Sequence, residues 1–370
     1  MKLRPAPQIS AIVPYPPGKP LEELEREYGI TGSIKLASNE NPWGPSPKAV
    51  AAIAGALTSL HRYPDGSSYY LTEALAGWTG ALPAEIVLGN GSNELIEFLV
   101  KVFVQPGDEV ITSHPSFLMY QKFVQVRGGV NTVIPLREMQ HDLEAILAAI
   151  TARTRLIFLD NPNNPCATLI GRDRFMEFLR RVPEEVVVVL DEAYVDFVAP
   201  ELRIDILSLI RKPQGIAPVV ALRTFSKAFG LAGLRVGFGL MHPEIASLMH
   251  RVRQPFNINL LGQIGAAAAI GDRDHYEMTI RETDRGRAWL SAEVERLGCQ
   301  AYPSHTNFFL IDVRGDATRL YEAMLHQGVI VRSMKPYGYP DCIRITVGTA
   351  AENQRFVLAL GQCLRELGYV

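Results

Sequence analysis

Short apolar runs alternate with amphipathic stretches along the chain from about residue 85 to residue 240. The runs are rich in valine, isoleucine and leucine, whereas the stretches between them repeat apolar residues at helical spacing. This alternation predicts an α/β protein with a mostly parallel sheet that is covered by helices on both faces. The predicted strands are residues 85–89, 109–113, 155–160, 186–194, 219–223 and 236–240, and the helices between them include 93–103, 143–150 and 172–182.

The two ends of the chain depart from this pattern. The first 35 residues are rich in proline and hold one short helical segment, LEELEREYG, which Gly29 is expected to end. A long helical region at 260–298 precedes shorter strands and helices that form a small α+β unit. We therefore predict an arm (1–35) that joins the small domain, a large domain (36–265) and a small domain (266–370).

Composition and charge exclude several classes of protein. The 370 residues include 37 basic and 39 acidic side chains, so the chain lacks the basic surplus that favours binding to nucleic acid. Apolar runs such as Val186–Leu190 are far shorter than the ~20 residues of a membrane-spanning helix. The amino end has no apolar signal segment, and the four cysteines show no CxxC spacing. These features predict a cytoplasmic protein with free thiols and with neither nucleic acid nor membrane as a partner.

Polar residues follow the predicted strands at their carboxyl ends, where parallel sheets bind their ligands. The turn Gly-Asn-Gly-Ser-Asn at 89–93 lies between a strand and a helix, so its backbone N–H groups can hold a phosphate. It matches neither the GxGxxG nor the GxxxxGK[ST] pattern, which argues against a dinucleotide or P-loop site. A plain helix cap by Ser92 or Asn93 explains the same turn equally simply.

Two charged residues at strand ends give the strongest chemical signal. Lys227 follows a strand, with Ser226 before it and Arg235 eight residues later, a setting in which burial and a nearby cation make an amine nucleophilic. Asp191 ends a run of valines, and a carboxylate buried there requires a cation such as a protonated pyridine nitrogen. Each residue alone also fits a structural role, as a solvated lysine or a strand-end acid.

Three further side chains complete one kind of site. Asn164 and Tyr194 can donate to a phenolate oxygen, and Phe117 offers a flat face for stacking. Together with the lysine, the aspartate and the glycine-rich turn, they match a site for pyridoxal 5'-phosphate. The eight histidines show no metal-binding HxH or HExxH spacing, and no GxSxG hydrolase motif is present. We therefore expect pyridoxal 5'-phosphate and no metal.

Six segments are more specific than any single residue. They are SNENPWGPSP (38–47), RYPDG (62–66), DNPNNP (160–165), VVVVLDEAYVDF (186–197), TFSKAFGLAGLRVGF (224–238) and CIRITVGT (342–349). With them the chain resembles, over essentially its whole length, the class I and II aminotransferases of fold type I, and most of all their histidinol-phosphate branch. The resemblance implies a large domain with a mostly parallel seven-stranded sheet, a small α+β domain and a homodimer with shared active sites.

The resemblance also implies roles for single residues in binding the cofactor. Lys227 would form the Schiff base and move protons, and Asp191 would bind the pyridine nitrogen. Asn164 and Tyr194 would bind the ring oxygen, with Phe117 stacked on the ring. The cofactor phosphate would be held by Ser92, Asn93, Ser226 and Arg235, and by Tyr63 from the neighbouring subunit.

For the substrate, the resemblance implies that Arg344 grips the anionic group with Arg332 as its helper, while Tyr15 and Asn41 line the pocket. The chain departs from the usual family pattern at three places. Cys166-Ala167 replaces Thr-Gly, Asn93 replaces an acidic residue and Phe117 replaces tyrosine. None of these changes removes a catalytic group, and Cys166 is expected to be a neutral replacement.

The activity that the resemblance implies is transamination between histidinol phosphate and 2-oxoglutarate, with glutamate as the other amino compound, in histidine biosynthesis. An aromatic aminotransferase acting on phenylalanine or tyrosine is the main alternative. A decarboxylase of threonine phosphate is a further alternative. A regulator that binds pyridoxal phosphate would carry an added DNA-binding domain, and the strands of this chain begin too early to leave room for one.

Overall fold

The alternating apolar runs form strands and helices in the computed structural model, which describes residues 3–14, 20–212 and 215–369. The strands are β1 (Ile34–Lys35), β2 (Ile86–Gly89), β3 (Glu109–His114), β4 (Val130–Pro135), β5 (Thr154–Asp160), β6 (Val187–Asp191), β7 (Val219–Thr224), β8 (Gly237–Met241), β9 (Gln300–Ala301), β10 (Phe308–Asp312), β11 (Val329–Ile330), β12 (Arg332–Ser333) and β13 (Cys342–Thr346). The α-helices are α1 (Pro7–Ser10), α2 (Leu21–Tyr28), α3 (Pro47–Ala56), α4 (Tyr69–Thr79), α5 (Ser92–Phe103), α6 (Met119–Arg127), α7 (Leu143–Ala148), α8 (Arg172–Arg181), α9 (Ile206–Arg211), α10 (Pro243–Val252), α11 (Leu260–Ile270), α12 (Arg273–Arg296), α13 (Ala317–His326) and α14 (Ala350–Leu367).

A seven-stranded sheet, here called the large sheet, has the strand order β2-β8-β7-β6-β5-β3-β4. Strand β8 runs antiparallel to both of its neighbours, and the remaining pairs are parallel. A second, four-stranded sheet with the order β12-β13-β10-β9, the small sheet, is antiparallel. The predicted α/β fold with a mostly parallel seven-stranded sheet and a smaller unit is therefore confirmed.

The large sheet is buried on both faces, which explains the unbroken apolar sequence of its central strands. Val188 and Leu190 of β6 pack into the hydrophobic cluster on one face, while Val187 and Val189 pack into the cluster on the other. Full burial of each such side chain contributes about 1.5–3 kcal/mol to folding. The alternation fixes the register of β6, because a shift by one residue would exchange the two faces.

Two predicted strand assignments differ from the structure. The strand predicted at 186–194 ends at Asp191, and a 3₁₀ helix begins at Val195 after a turn in which the Val195 N–H donates to the carbonyl of Glu192 at 3.1 Å. The edge strand β4 was absent from the predicted strands. Its residues are at best half-buried, because β4 has a neighbour on one side only, and it therefore lacks a strong apolar signal.

The apolar segment at residues 329–333 divides between two sheets. Its first part, β11, pairs in parallel with β1, and its second part, β12, pairs with β13 of the small sheet. This change of partner ties the segment before residue 36 to the small sheet and places Arg332 directly opposite Arg344. The division into domains at 1–35, 36–265 and 266–370 stays a prediction.

Of two helical predictions, the structure confirms one and divides the other into two helices. Helix α2 ends as expected at Gly29, which adopts the left-handed conformation with φ 65°. The helical region at 260–298 consists of two helices, because the chain turns at Gly271 and Asp272 between α11 and α12. Within the described residues, no helix has both the length and the apolar content needed to cross a membrane.

Candidate active site

A cavity of about 330 Å³ lies at the carboxyl ends of β5, β6 and β7, between the large sheet and the small sheet. Parallel strands direct their terminal side chains to a common edge, so segments that are far apart along the chain meet there. Most of the predicted cofactor and substrate residues line this cavity: Ser92, Asn93, Phe117, Asn164, Asp191, Tyr194, Ser226, Lys227, Arg235, Arg332 and Arg344.

Lys227 lies in the turn after β7 with its amine inside the cavity. Its Nζ donates to the carbonyl oxygen of Ser38 at 3.4 Å and lies 5.6 Å from the centre of the Tyr194 ring. Burial lowers the pKa of Lys227 to about 8, and the positive charges of Arg344 and Arg235 add to that effect. A much larger fraction of this amine than of an ordinary lysine is therefore uncharged near neutral pH and able to act as a nucleophile.

Asp191 ends β6 with its carboxylate buried at the edge of the cavity. Its Oδ2 accepts from the Tyr120 hydroxyl at 2.8 Å, and its Oδ1 accepts from the backbone N–H of Ala193 at 3.1 Å. Burial is the main cause that raises the pKa of Asp191 to about 7, with the charge of Asp160 acting in the same direction. A buried carboxylate with two donors and a raised pKa is suited to bind a cationic ligand.

Asn164 and Tyr194 lie between the two sheets. The Asn164 Oδ1 accepts from Arg344 Nη1 at 2.5 Å, and Arg344 Nη2 donates to the carbonyl oxygen of Ala37 at 2.8 Å. The Tyr194 hydroxyl accepts from Asn39 Nδ2 at 2.9 Å, and burial raises the pKa of Tyr194 to about 12. Tyr194 therefore keeps its proton at neutral pH and can donate it in a hydrogen bond to an oxygen atom in the cavity.

The predicted phosphate site consists of the turn between β2 and α5 and the loop after β7. Arg235 Nη1 donates to Ser226 Oγ at 3.4 Å. Gly91 has φ 76°, and a Cβ placed there would lie 2.4 Å from Nη2 of Arg235. The side-chain oxygen of Asn93 is buried and has no hydrogen-bond partner among the described residues. Arg235, the Ser226 hydroxyl and the amino end of α5, which begins at Ser92, thus converge as an anion site needs.

Two of the predicted residues that the structure describes, Tyr63 and Asn41, do not line the cavity in this chain. Tyr63 is 83% exposed and stacks on Phe256 with ring centres 4.9 Å apart, so it is free to contact another molecule. Asn41 is held by the backbone, because its Nδ2 donates to the Ala228 carbonyl at 3.1 Å and its Oδ1 accepts from the Trp43 N–H at 2.9 Å. Tyr15 lies outside the described residues.

The structure also brings residues into the cavity that sequence reasoning missed. Tyr120, on α6, carries the hydroxyl that binds Asp191, and it lies three residues after Phe117, which precedes the helix. Asn39 belongs to the SNENPWGPSP segment and connects Tyr194 with β13, because its N–H donates to Thr346 Oγ1 at 2.9 Å. The spacing of Tyr120 from Phe117 was the one available signal, whereas the contacts of Asn39 depend on residues more than 150 positions away.

The chemical groups of these residues match those of pyridoxal 5'-phosphate. The buried carboxylate of Asp191 suits the protonated ring nitrogen, and the partly uncharged amine of Lys227 suits the aldehyde. The glycine at position 91 leaves room for the Arg235 guanidinium beside the helix end, where a phosphate binds best.

Comparison with known proteins agrees with this chemistry. Residues 31–360 match the model of the family "Aminotransferase class I and II". The histidinol-phosphate aminotransferase of Desulfotalea psychrophila is 61% identical over 370 residues, which are the whole of this chain and 98% of that protein. The enzyme of the same name from Moorella thermoacetica is 45% identical, over 96% of this chain and 92% of its own.

A solved structure extends the likeness to three dimensions. The crystal structure of histidinol-phosphate aminotransferase from Sinorhizobium meliloti, in complex with pyridoxal-5'-phosphate, aligns with a TM-score of 0.90 and 31% identity over 99% of both chains. Family model, full-length relatives and structure thus agree with one another and with the cavity. The chain belongs to the class I and II aminotransferases, among the histidinol-phosphate aminotransferases, and its cofactor is pyridoxal 5'-phosphate.

Proposed function

We propose that the protein transfers the amino group between L-histidinol phosphate and 2-oxoglutarate, with glutamate as the second amino compound, in histidine biosynthesis. The observation that carries this proposal is a pair of arginines that are register partners on neighbouring strands of the small sheet. Arg332 of β12 lies opposite Arg344 of β13, and both line the cavity that holds Lys227. The names of the full-length relatives support the same substrate.

The cofactor roles proposed for this chain follow from the positions of its residues. Asp191 binds the ring nitrogen, Asn164 and Tyr194 bind the ring oxygen, and Phe117 stacks on the ring. Its phosphate is bound by Ser92, Asn93, Ser226 and Arg235. When bound, pyridoxal phosphate supplies an aldehyde for the substrate amine and a ring that withdraws electrons from the reacting carbon.

Lys227 is the proposed base and acid of the reaction. With cofactor and substrate bound, its Nζ would take the proton from the substrate carbon that bears the nitrogen and would give it back later in the transfer. A pKa of about 8 suits both directions, because the amine gains and loses a proton readily near neutral pH. Asp191 keeps the ring nitrogen protonated while this happens.

Arg344 and Arg332 are the proposed anion grip. Histidinol phosphate has a phosphate and no α-carboxylate, whereas glutamate carries carboxylates, so one site has to accept both anions. Two guanidinium groups can bind a dianion through several charge-assisted hydrogen bonds. A substrate without the phosphate would offer this pair of guanidinium groups no anion to bind, which is how polar sites reject analogues.

The test is a comparison of kcat/KM for histidinol phosphate, histidinol, phenylalanine and tyrosine, each with 2-oxoglutarate. We expect histidinol phosphate to exceed the others by at least ~100-fold, since sites built for a polar group discriminate strongly against its loss. Arg332→Gln should reduce the preference for histidinol phosphate over histidinol, and Arg285→Gln, on the exposed face of α12, serves as the control. Equal or better activity with phenylalanine or tyrosine would favour an aromatic aminotransferase instead.

We further propose that the protein is a cytoplasmic homodimer in which each active site receives Tyr63 from the neighbouring subunit. Exposed apolar side chains near Tyr63 support this assembly: Leu57, Leu60, Tyr69, Tyr70 and Phe256. Exposed apolar groups of this size are typical of interfaces. The four cysteines, all free and buried, support a reducing compartment.

A further inference from the structure

A second buried carboxylate, that of Asp160, lies beside Asp191. The two residues end the neighbouring parallel strands β5 and β6 and are partners in the register of the sheet. Their exposed fractions are 4% and 5%, and both line the cavity. Two carboxylates at the ends of neighbouring strands repel each other when both are ionised. The pair therefore favours a cation between or beside them. The roles proposed above make no use of Asp160.

Asp160 is better supplied with hydrogen-bond donors than Asp191. Asp191 has two, whereas three donors bind the Asp160 carboxylate. They are Ser116 Oγ at 2.7 Å and Asn163 Nδ2 at 3.0 Å on Oδ1, and the Asn164 N–H at 2.8 Å on Oδ2. In addition, His141 Nε2 lies 3.2 Å from Oδ1. Hydrogen bonds to the ionised form stabilise it, so Asp160 is the member of the pair that carries the fixed negative charge.

His141 is a buried donor whose orientation is fixed on both sides of the ring. Its Nε2 faces the Asp160 carboxylate and, at 3.0 Å, the Asp160 carbonyl oxygen. Both of these groups only accept, so Nε2 has to carry a hydrogen atom. On the other side, Nδ1 lies 2.7 Å from Ser113 Oγ, a hydroxyl that can donate to it. The ring therefore needs no positive charge to hold Asp160 in place.

The contacts of Asp160 also reach two groups at the cofactor site. Its Oδ2 binds the backbone N–H of Asn164, whose side chain in turn contacts Arg344. Its Oδ1 binds Ser116, the residue before Phe117. Asp160 is thus the centre of a network that sets the position of the Asn164 turn and of the Phe117 segment, in addition to placing a charge near Asp191.

We propose that Asp160, held as an anion by its three hydrogen-bond donors and by the His141 N–H that faces it, is a positioning residue for transamination whose charge strengthens the binding of Asp191 to the protonated ring nitrogen of pyridoxal phosphate. The inference rests on the proposed role of Asp191. The negative charge of Asp160 disfavours an isolated Asp191 anion, and a cationic ring nitrogen relieves both carboxylates. Removing that charge should weaken cofactor binding and allow the ring nitrogen to lose its proton at a lower pH.

The main test compares Asp160→Asn with Ser116→Ala. Asp160→Asn removes the negative charge of Asp160 with little change in volume. Ser116→Ala removes one hydrogen bond to Asp160 Oδ1 but leaves the charge. The measurements are the dissociation constant of the cofactor, from equilibrium dialysis of the holoenzyme, and the ring-nitrogen protonation, from the ¹⁵N chemical shift of labelled cofactor. We expect Asp160→Asn to weaken binding by ~10-fold or more and to lower the pH at which the nitrogen loses its proton, because a nearby charge is lost from a poorly screened site. Ser116→Ala should retain the protonated nitrogen.

A second pair of variants leaves Asp160 unchanged and applies if Asp160→Asn does not fold. His141→Leu removes the N–H that binds the Asp160 carbonyl oxygen and faces its carboxylate, and His141→Gln restores an N–H at similar length. If the donor holds Asp160 as an anion, His141→Leu should release the cofactor more readily than His141→Gln, and its ring nitrogen should lose the proton at a lower pH. Similar cofactor affinity and nitrogen protonation in the two variants would overturn the proposal.

A reference variant distinguishes failure of this inference from failure of the proposed function. Asp191→Asn should change nitrogen protonation more than any other variant of the set. If it does and Asp160→Asn matches Ser116→Ala in both measurements, Asp160 is structural only and the inference is wrong. If Asp191→Asn itself leaves the nitrogen protonated, the role proposed for Asp191 is wrong and the inference falls with it.

Discussion

At the scale of single residues, burial acts in opposite directions on the two central groups of the site. It lowers the pKa of Lys227 to about 8 and raises the pKa of Asp191 to about 7, so both charged forms are disfavoured in the protein alone. Contacts with a bound cofactor would offset, for each residue, the free-energy cost of burying its charged form. We therefore expect the site to lower the stability of the apoprotein, because the burial that makes these two groups reactive also disfavours their charged forms.

The first prediction concerns the stability of apoprotein with Asp191→Asn. Asp191 has a pKa of about 7 in the folded protein, against 3.8 for an ordinary aspartate. Between these two pH values, Asp191 is therefore protonated in the folded protein and ionised in the unfolded chain. Stability therefore falls as pH rises through this window, and the penalty is complete above pH 7. Between pH 5 and pH 8, the variant should gain stability relative to the parent by roughly 1–3 kcal/mol.

Denaturant unfolding of the two apoproteins at both pH values measures this gain. The variant should nevertheless lose turnover, because the ring nitrogen is no longer held protonated. Tyr120→Phe, which removes one donor but keeps the carboxylate, is the control, and it should retain the pH dependence. A variant that keeps near-normal turnover would show that Asp191 is only a structural acid at a strand end.

At the scale of elements, the strand-turn-helix unit from β2 to α5 is what brings an anion site to the cavity. Ser92, the first residue of α5, and Arg235, from the loop before β8, come together only because Gly91 leaves space between them. Position 91 requires glycine for two separate reasons, its positive φ and the nearby guanidinium group of Arg235. A side chain at position 91 therefore meets two costs that can be measured apart.

The second prediction uses this separation. Gly91→Ala and Gly107→Ala both place alanine at positive φ, 76° and 90°, and each should lose ~1–3 kcal/mol of stability. The space around Gly107 is open, with nothing within 4 Å of an added Cβ, whereas at Gly91 the methyl group displaces Arg235. Only Gly91→Ala should also weaken binding of pyridoxal phosphate, measured by titration of the apoprotein. Equal cofactor affinity in both variants would separate Gly91 from the phosphate site.

At the scale of the whole molecule, one predicted cofactor residue, Tyr63, lies outside the cavity of its own chain. Tyr63 is exposed and rests on Phe256, and Arg253 Nη2 holds the same loop through the Gly66 carbonyl at 2.8 Å. The loop is thus fixed in place with its tyrosine free. This arrangement fits a residue that serves a neighbouring subunit, in a closed symmetric dimer.

The third prediction follows from that proposed arrangement. Inactive Tyr63→Ala and Lys227→Ala chains, mixed in equal amounts and allowed to exchange, should recover about a quarter of the parent activity, since half of the dimers are hybrids with one complete site. The measurement is the rate of transamination before and after exchange. Mixing two batches of Lys227→Ala protein is the control. If exchange is demonstrated and activity stays at the control level, Tyr63 does not act across the interface.

Local sequence patterns were enough for the fold and for much of the cavity. Apolar runs at strand length, separated by helical periodicity, predicted a mostly parallel sheet, and the geometry of such sheets gathers the residues after each strand at one edge. Lys227, Asp191, Asn164 and Tyr194 could therefore be selected by their place in the pattern. Their cofactor roles, and that of Tyr63, stay predictions, as does the role of Tyr15.

Tertiary structure decided which of these groups touch. The contact of Tyr120 with Asp191 depends on how α6 packs against the large sheet, and the Arg332 and Arg344 pair depends on a segment that changes sheets. Asn41 was expected in the pocket, but its amide binds backbone atoms of neighbouring loops. The pairing of His141 with Asp160 joins residues 19 positions apart through a buried ring. Such contacts follow from strand register and side-chain packing between distant segments, which the period of a local pattern does not contain.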